Sequence, residues 1–471
     1  MLAVQLAELL DHHPEGAGEA LALVDGFDDT LVHGLARLAD ERADALAALA
    51  GAFATTPIGE RLAEAAAEVA SGSIAEEHLT ALAGGRAALF GAVHDALLAD
   101  LDAALGRERG PWQPTQETAP EPGPYGAANP LGGVRSWLRE LAITGWRGVD
   151  HDLVSAVDQI VEALTAAPGQ RRLAVLLDGF AAELRASCPI AAMEHLPVRR
   201  WADLWTRAVL LAQDGVPPGE PPRPVGMVSG RLLVLGVDVH EHGTAVQFQV
   251  HAVLEPADGG PARLVRTGVT AAKVDTIVGP ALWKLVHEHK MLLAALADRR
   301  SLEVTDLPLL DSGDLVWHDD RALLGKPADP FTTARLHLAG ALAPAAPPLD
   351  RVPVRIAEPV LVEGYKVTGD GSFDLGGSVI TVDIGRLPSC GPLTPKLVAG
   401  SSACVGLVRW DGGRWLLQPL AVQTKVKRET VDVGTGDWAR GPTDPKVVKA
   451  EARAGDAVAV LRERAGRLLR K

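Results

Sequence analysis

The sequence predicts an α+β multidomain protein: two N-terminal helical blocks, then a β-rich half of barrel or sandwich type, and a C-terminal helix. Three observations lead there. Apolar residues recur at helical spacing up to about Gln213 and at every second position from about Arg231, Pro-rich stretches interrupt the chain, and 471 residues exceed one ordinary core.

From Leu2 to about Leu105 the spacing of Leu31, Leu35 and Leu38, and again of Ala87, Phe90, Val93 and Leu97, predicts several short helices. Breaks are expected at His13-Pro14, Thr55-Thr56-Pro57, Ser71-Gly72-Ser73 and Gly84-Gly85. Pro111, Pro114, Pro120, Pro122, Pro124 and Pro130 prevent a helix or central strand over 106–133 and mark a linker. Further helices are expected at Ser136 to Leu141, Asp152 to Thr165, Arg171 to Ala186 and Val198 to Gln213. The last carries Trp201, Leu204, Trp205, Ala208, Leu211 and Ala212 on one stripe, with Arg199, Arg200, Asp203 and Arg207 projecting away.

After a second Pro-rich stretch, Arg231 to His240 and Thr244 to Leu254 read as a hairpin around Glu241-His242-Gly243, followed by a strand at Arg263 to Val269 and a helix from about Pro280 to Ala297. Strands are also expected at Val352 to Ile356, Val360 to Val367, Ser378 to Ile384, Ala403 to Trp410 and Arg414 to Val422. This order is compatible with an oligomer-binding-type barrel as well as a split sandwich or a propeller fragment. No repeat of fixed period is evident. Asp444-Pro445 opens a basic C-terminal helix. The units are therefore an acidic helical domain at 1–105, a linker at 106–133, a second helical block at 134–215, a linker at 216–225, a β-rich domain with an inserted helix at 226–425, and a basic tail with its helix at 426–471.

The net charge of −14 argues against a general nucleic-acid binder, because phosphate neutralisation needs a positive patch. Its distribution is uneven: residues 1–110 hold 19 acidic residues against six arginines, whereas residues 423–471 hold 12 basic against seven acidic ones. Cys188, Cys390 and Cys404 form no even disulfide framework and no CxxC pair, which fits a reducing compartment, and the cytoplasm is expected. The first ten residues lack the basic region and cleavage site of a signal peptide, and no apolar run is long enough for a membrane helix.

No phosphate-cradling Gly-rich loop, dinucleotide fingerprint or nucleophile elbow is present, so no nucleotide cofactor is expected. Cys188 has His195 nearby in sequence, which is the only token of a Cys/His dyad. His-Glu-His occurs twice, giving His240, His242, His287 and His289 as metal candidates; solvated polar tips are the plainer account, since no Cys pair or HExxH spacing accompanies them. Gly369 to Asp374 faintly matches a calcium loop without its distal Glu and reads better as a turn. Lys425, Lys427 and Arg428, with Trp410 and Trp415 as stacking faces, are the features a single-strand nucleic-acid site would use.

Two stretches carry a resemblance. Ile74 to Leu98, with Leu79, Leu82, Ala83, Arg86, Ala88, Leu89, Gly91, Ala92, His94, Asp95, Ala96 and Leu97, and Leu196 to Leu211, with Pro197, Arg199, Arg200, Trp201, Ala202, Asp203, Leu204 and Trp205, resemble uncharacterised actinobacterial proteins. Those are encoded beside MoxR-type AAA ATPases, von Willebrand factor A proteins and SWIM zinc-finger proteins. The resemblance covers under a tenth of the chain. It implies a non-catalytic companion whose partners supply the ATPase and the metal site, since this chain has no Walker motif, no MIDAS-type DxSxS and no SWIM-type ligand set.

The reading that follows is a scaffold or adaptor with protein partners, using Arg199, Arg200, Trp201, Trp205 and Arg207 as its contact surface. The alternatives are an enzyme with a dispersed His/Glu or Cys site, and single-strand nucleic-acid binding through the β half.

Overall fold

The computed structural model describes residues 3–11, 14–112, 130–213, 224–454, 458–460 and 463. Its N-terminal half is helical: α1 (Ala3–Asp11), α2 (Ala17–His33), α3 (Asp40–Gly51), α4 (Gly59–Ala70), α5 (Glu76–Ala104), α6 (Pro130–Thr144), α7 (His151–Ser155), α8 (Asp158–Ala166), α9 (Arg171–Ser187) and α10 (Val198–Leu211). The expected interruptions at 55–57 and 71–73 fall between helices, but α5 runs straight through Gly84-Gly85. Gly85 serves close packing instead, since a Cβ there would stand 2.8 Å from Cδ2 of Leu62 on α4. The single helix expected over Asp152 to Thr165 divides into α7 and α8.

Residues from both sides of the Pro-rich stretch build one bundle core. Phe27, Leu46, Leu62 and Leu82 pack with Trp137, Trp146, Phe180, Trp201 and Trp205. Trp146 links the rings edge to face, 5.9 Å from Phe180 and 6.1 Å from Trp201, the offset arrangement aromatic quadrupoles favour. Most of the two expected linkers, 113–129 and 214–223, lies outside the described residues.

The β half comprises β1 (Pro224–Glu241), β2 (Ala245–Pro256), β3 (Arg263–Ala272), α11 (Lys290–Asp298), β4 (Arg300–Leu310), β5 (Asp314–Leu315), β6 (Ala322–Pro327), α12 (Pro330–His337), β7 (Ala357–Glu363), β8 (Lys366–Val367), β9 (Phe373–Asp374), β10 (Val379–Val382), α13 (Pro395–Ala399), β11 (Ser401–Asp411), β12 (Arg414–Val426) and β13 (Glu429–Gly434), before the C-terminal α14 (Pro445–Ala454). In the first sheet β1 pairs with β2, β2 with β3, β3 in parallel with β5, β5 with β4, and β4 with β1, so the circuit closes.

The second sheet repeats this circuit. Only Gly364 and Tyr365 separate β7 from β8, and the two act as one first strand: β8 pairs with β9, β9 with β10, β10 in parallel with β12, β12 with β11, and β11 with β7. Both circuits place a helix, α11 or α13, between their third and fourth strands. This is the topology of the oligomer-binding (OB) barrel, present twice in tandem. The repeat is one of pairing and leaves no sequence period.

Two expectations need correction. Val352 to Ile356 is no strand; a 3-10 turn, Pro353–Arg355, occupies it, because Pro353 has no N–H to give a ladder. The sequence pattern also missed β4, where Glu303, Asp306 and Pro308 break the alternation and Asp306 adopts φ 51°.

The modules are tightly joined. α5 belongs to two cores, its first half to the bundle through Leu79, Leu82 and Ala83, its second to the interior of the second barrel through Val93, Leu97 and Leu101 beside Val360, Cys404 and Leu417. Beyond its end, Arg107 donates to the carbonyls of Leu338 (2.8 Å) and Pro359 (3.2 Å). A separate apolar layer, with Leu233, Leu235 and Val253 of the first barrel, Phe331 of α12, and Leu361 and Val405 of the second, glues the barrels together.

Candidate functional site

The strands of the first barrel alternate faces, so Val246, Phe248 and Val250 of β2 fill the interior while Gln247, Gln249 and His251 face outward. The second barrel covers part of that outer face. Gly236 permits the approach, since a Cβ there would lie 2.7 Å from Cβ of Leu420 on β12. Thr435, just past β13, then donates to the carbonyl of Val237 (2.6 Å) on β1.

Charged groups enter this seam only in paired form. Asp238 on β1, 2% exposed, accepts from Arg409 of β11 and from Gln418 of β12 (2.7 Å). Arg409 also donates to Gln418, and His240 Nε2 lies 3.0 Å from Asp238. Burial works to raise the Asp238 pKa, but His240, Arg409 and Gln418 outweigh it and hold this carboxyl well below the usual range. His251, 1% exposed, is the opposite case: burial first, then the Arg266 and Arg409 charges, push its pKa down to about 3, and its Nε2 has no hydrogen-bond partner. Arg266 is itself held by Asp314 through bonds of 2.7 and 3.1 Å.

At the edge of the seam a cleft of about 520 Å³ opens, lined by Asp238 to His242 of β1 and by Gly385 to Cys390 of the second barrel. Trp283 donates to the Cys390 carbonyl (2.9 Å), which fixes one wall against the other. Glu241 is neutralised by Lys273 at 3.0 Å and Arg386 by Asp383 at 2.9 Å. The cleft is thus rich in hydrogen-bonding groups whose formal charges cancel within the protein.

The sequence-derived metal candidates separate. His240 engages Asp238, His242 Nδ1 stands 3.4 Å from the Thr244 hydroxyl, and His287 and His289 both approach Glu288, where the helix expected over Pro280 to Ala297 breaks into a 3-10 helix, Gly279–Val286, and α11. Among the described residues no group of three or more His, Cys, Asp or Glu is arranged to hold a metal ion. Asp370 and Asp374 accept from their own turns, Ser372 N–H at 3.2 Å and Gly377 N–H at 2.8 Å, in keeping with a turn.

The contact surface expected on α10 divides: its tryptophans are internal, while Arg199 and Arg200 stay at the surface in ion pairs. Trp201 and Trp205 are 1% and 0% exposed and belong to the bundle core, with Trp205 donating to the Leu138 carbonyl (2.9 Å). Arg199 pairs with Asp25, Arg200 with Glu183, and Arg207 with Asp203 (3.0 Å) and Asp350 (3.5 Å). Trp410 and Trp415, the proposed stacking faces, pack against each other at 5.1 Å and are 5% and 3% exposed. Cys188 donates to the Leu184 carbonyl and its pKa is raised by burial and Asp150, while His195 sits beside Glu194. Burial pushes the Cys390 thiol up to about 12, so neither thiol is poised as a nucleophile.

The seam's key residues were missed from sequence, although a signal existed. Arg409 and Gln418 stand inside otherwise apolar strands, Val405 to Trp410 and Trp415 to Val422, where an interior charge or amide demands a buried partner. No family model, curated protein or solved structure matches this chain, so its chemistry rests on its own geometry.

Proposed function

We propose that the protein is a non-catalytic scaffold or adaptor of a cytoplasmic multiprotein system, companion to an AAA ATPase and a von Willebrand factor A protein. The observation that carries this reading is that bundle and barrels share cores and buried ion pairs, giving a firm block with oppositely charged outer surfaces. Glu60, Glu64 and Glu68 form an exposed acidic stripe along α4. Lys425, Lys427 and Arg428 project from the β12–β13 hairpin, and Lys446 and Lys449 from α14, all exposed. Such patches steer partners and set orientation more than they add affinity. The Cys188 and Cys390 thiols are held with raised pKa values and His240 pairs with Asp238, which favours this reading over a dispersed enzyme site.

The test is a pull-down of the tagged chain from its native lysate, with and without ATP, comparing wild type with the Glu60→Lys/Glu64→Lys/Glu68→Lys variant. Recovery of an AAA ATPase or von Willebrand factor A protein by the wild type and its loss in the variant is the expected result. Recovery of neither, with stoichiometric metal or a turned-over substrate instead, would overturn it.

A further inference from the structure

We propose that the outer face of β1–β3, where it meets the inter-barrel cleft, binds a neutral polyhydroxylated ligand, an oligosaccharide in chemical class. This ligand is distinct from the scaffold's protein partners. In barrels of this topology the outer face of strands 2 and 3 is a general platform for chain ligands, but fold alone does not choose among them. The side chains here do choose.

Strand register sets out two polar rows on that face. His240 stands opposite Gln247, which stands opposite Thr270; Asp238 stands opposite Gln249, which stands opposite Gly268. Directly opposed residues lie about 5 Å apart, a ladder of donors and acceptors suited to successive hydroxyl groups. Among the described residues, the Gln247 and Gln249 amides have no hydrogen-bond partner, although each offers donors and an acceptor. Gly268 keeps the centre of the face low, and the Gln247 amide lies against it, with Nε2 3.4 Å from a Cβ built there. Asp238 and His240 belong both to this face and to the cleft of about 520 Å³, a volume within the usual range for small-molecule sites.

Charge excludes the competing ligands. Asp238 is neutralised by Arg409, Arg266 by Asp314, and Glu241 by Lys273, so the face offers neither a free cation to a phosphate chain nor a free carboxylate to a basic peptide. Nucleotide bases also lack a stacking surface, because among the described residues the exposed large apolar side chains include no aromatic ring. A neutral ligand that exchanges hydrogen bonds with water for hydrogen bonds with two amides, a hydroxyl and an imidazole meets none of these obstacles.

Titration calorimetry on the full chain tests this with maltohexaose, cellohexaose, chitohexaose and laminarihexaose, and with a thymidine dodecamer as the anionic comparison. At least one oligosaccharide is expected to bind, with an affinity insensitive to added salt. Gln247→Ala and Gln249→Ala should each weaken it about tenfold, as loss of a direct hydrogen bond does. Gly268→Val, whose Cβ meets the Gln247 amide at 3.4 Å and no backbone atom nearer than the Phe248 carbonyl at 3.8 Å, should abolish binding while circular dichroism stays unchanged. Failure of all four sugars at millimolar concentration, sugar binding unmoved by all three variants, or salt-sensitive binding of the dodecamer alone would overturn the proposal.

Discussion

In the helical bundle the buried ion pair, Arg86 with Asp28, closes within one module, its two bonds measuring 2.6 and 2.9 Å. In the barrels the corresponding pair, Arg409 with Asp238, spans two modules and sits beside a neutral buried histidine. Both pairs are removed from water, yet only the second ties together regions more than 170 residues apart in sequence. The bundle is therefore held by continuous aromatic and aliphatic packing, whereas the junction of the barrels adds to its apolar layer a few buried polar contacts that respond to pH. A buried pair is not a large net source of stability, but losing one partner is costly.

The largest effect that sharpens this contrast is expected from Arg409→Met. It leaves Asp238 buried without its cation and should lower unfolding stability by about 3–5 kcal/mol in chemical denaturation. Equal loss from an exposed arginine variant would break the contrast.

Acid should act next, and at the barrels. His251 is neutral in the fold down to about pH 3, whereas in the unfolded chain it takes up its proton near 6.5. The unfolded state then binds more protons, so stability falls as pH falls across that window, by up to about 1.4 kcal/mol per pH unit. Asp238, with its depressed pKa, adds loss in the same direction at lower pH. His251→Gln should flatten the stability profile between pH 6 and 4, removing about one proton from the uptake on unfolding. An unchanged slope in urea titrations at several pH values would count against a buried neutral His251.

Two glycine variants compare packing in the two regions. Gly236→Ala pushes against Cβ of Leu420, close to the β12 backbone, and should cost about 1–3 kcal/mol. Gly85→Ala meets only the end of the Leu62 side chain, which can rotate, and gains helix propensity, so its net change should lie within about 1 kcal/mol. Thermal melts of both variants decide the order. Smallest of all, Arg200→Ala removes an exposed pair with Glu183 and should shift stability by less than about 1 kcal/mol in the same assay.

The same contrast explains what was legible in the sequence. Helices are written in neighbours three and four residues apart, so α9 and α10 emerge within a residue or two of their expected limits. Gly84-Gly85 misled because a glycine that sits at a close helix contact looks like one required for a turn. The hairpins were also local, and Asp411-Gly412-Gly413 marked the turn between β11 and β12, whose two glycines have φ 57° and 76°. Closure was not legible: β3 meets β5, and β10 meets β12, across tens of residues and through only two paired positions each. The candidate site shared this fate. Asp238, Arg409 and Gln418 lie on three strands, and their meeting follows from how the barrels dock rather than from spacing.

The barrel seam is the account's central claim, and a double-mutant cycle tests it most directly. Unfolding free energies of Asp238→Ala, Arg409→Met and the double variant, measured at neutral pH, should show a coupling of at least about 2 kcal/mol, with the double variant less damaged than the sum of its parts. Additivity within about 0.5 kcal/mol would mean that the two side chains do not bear on each other across the seam.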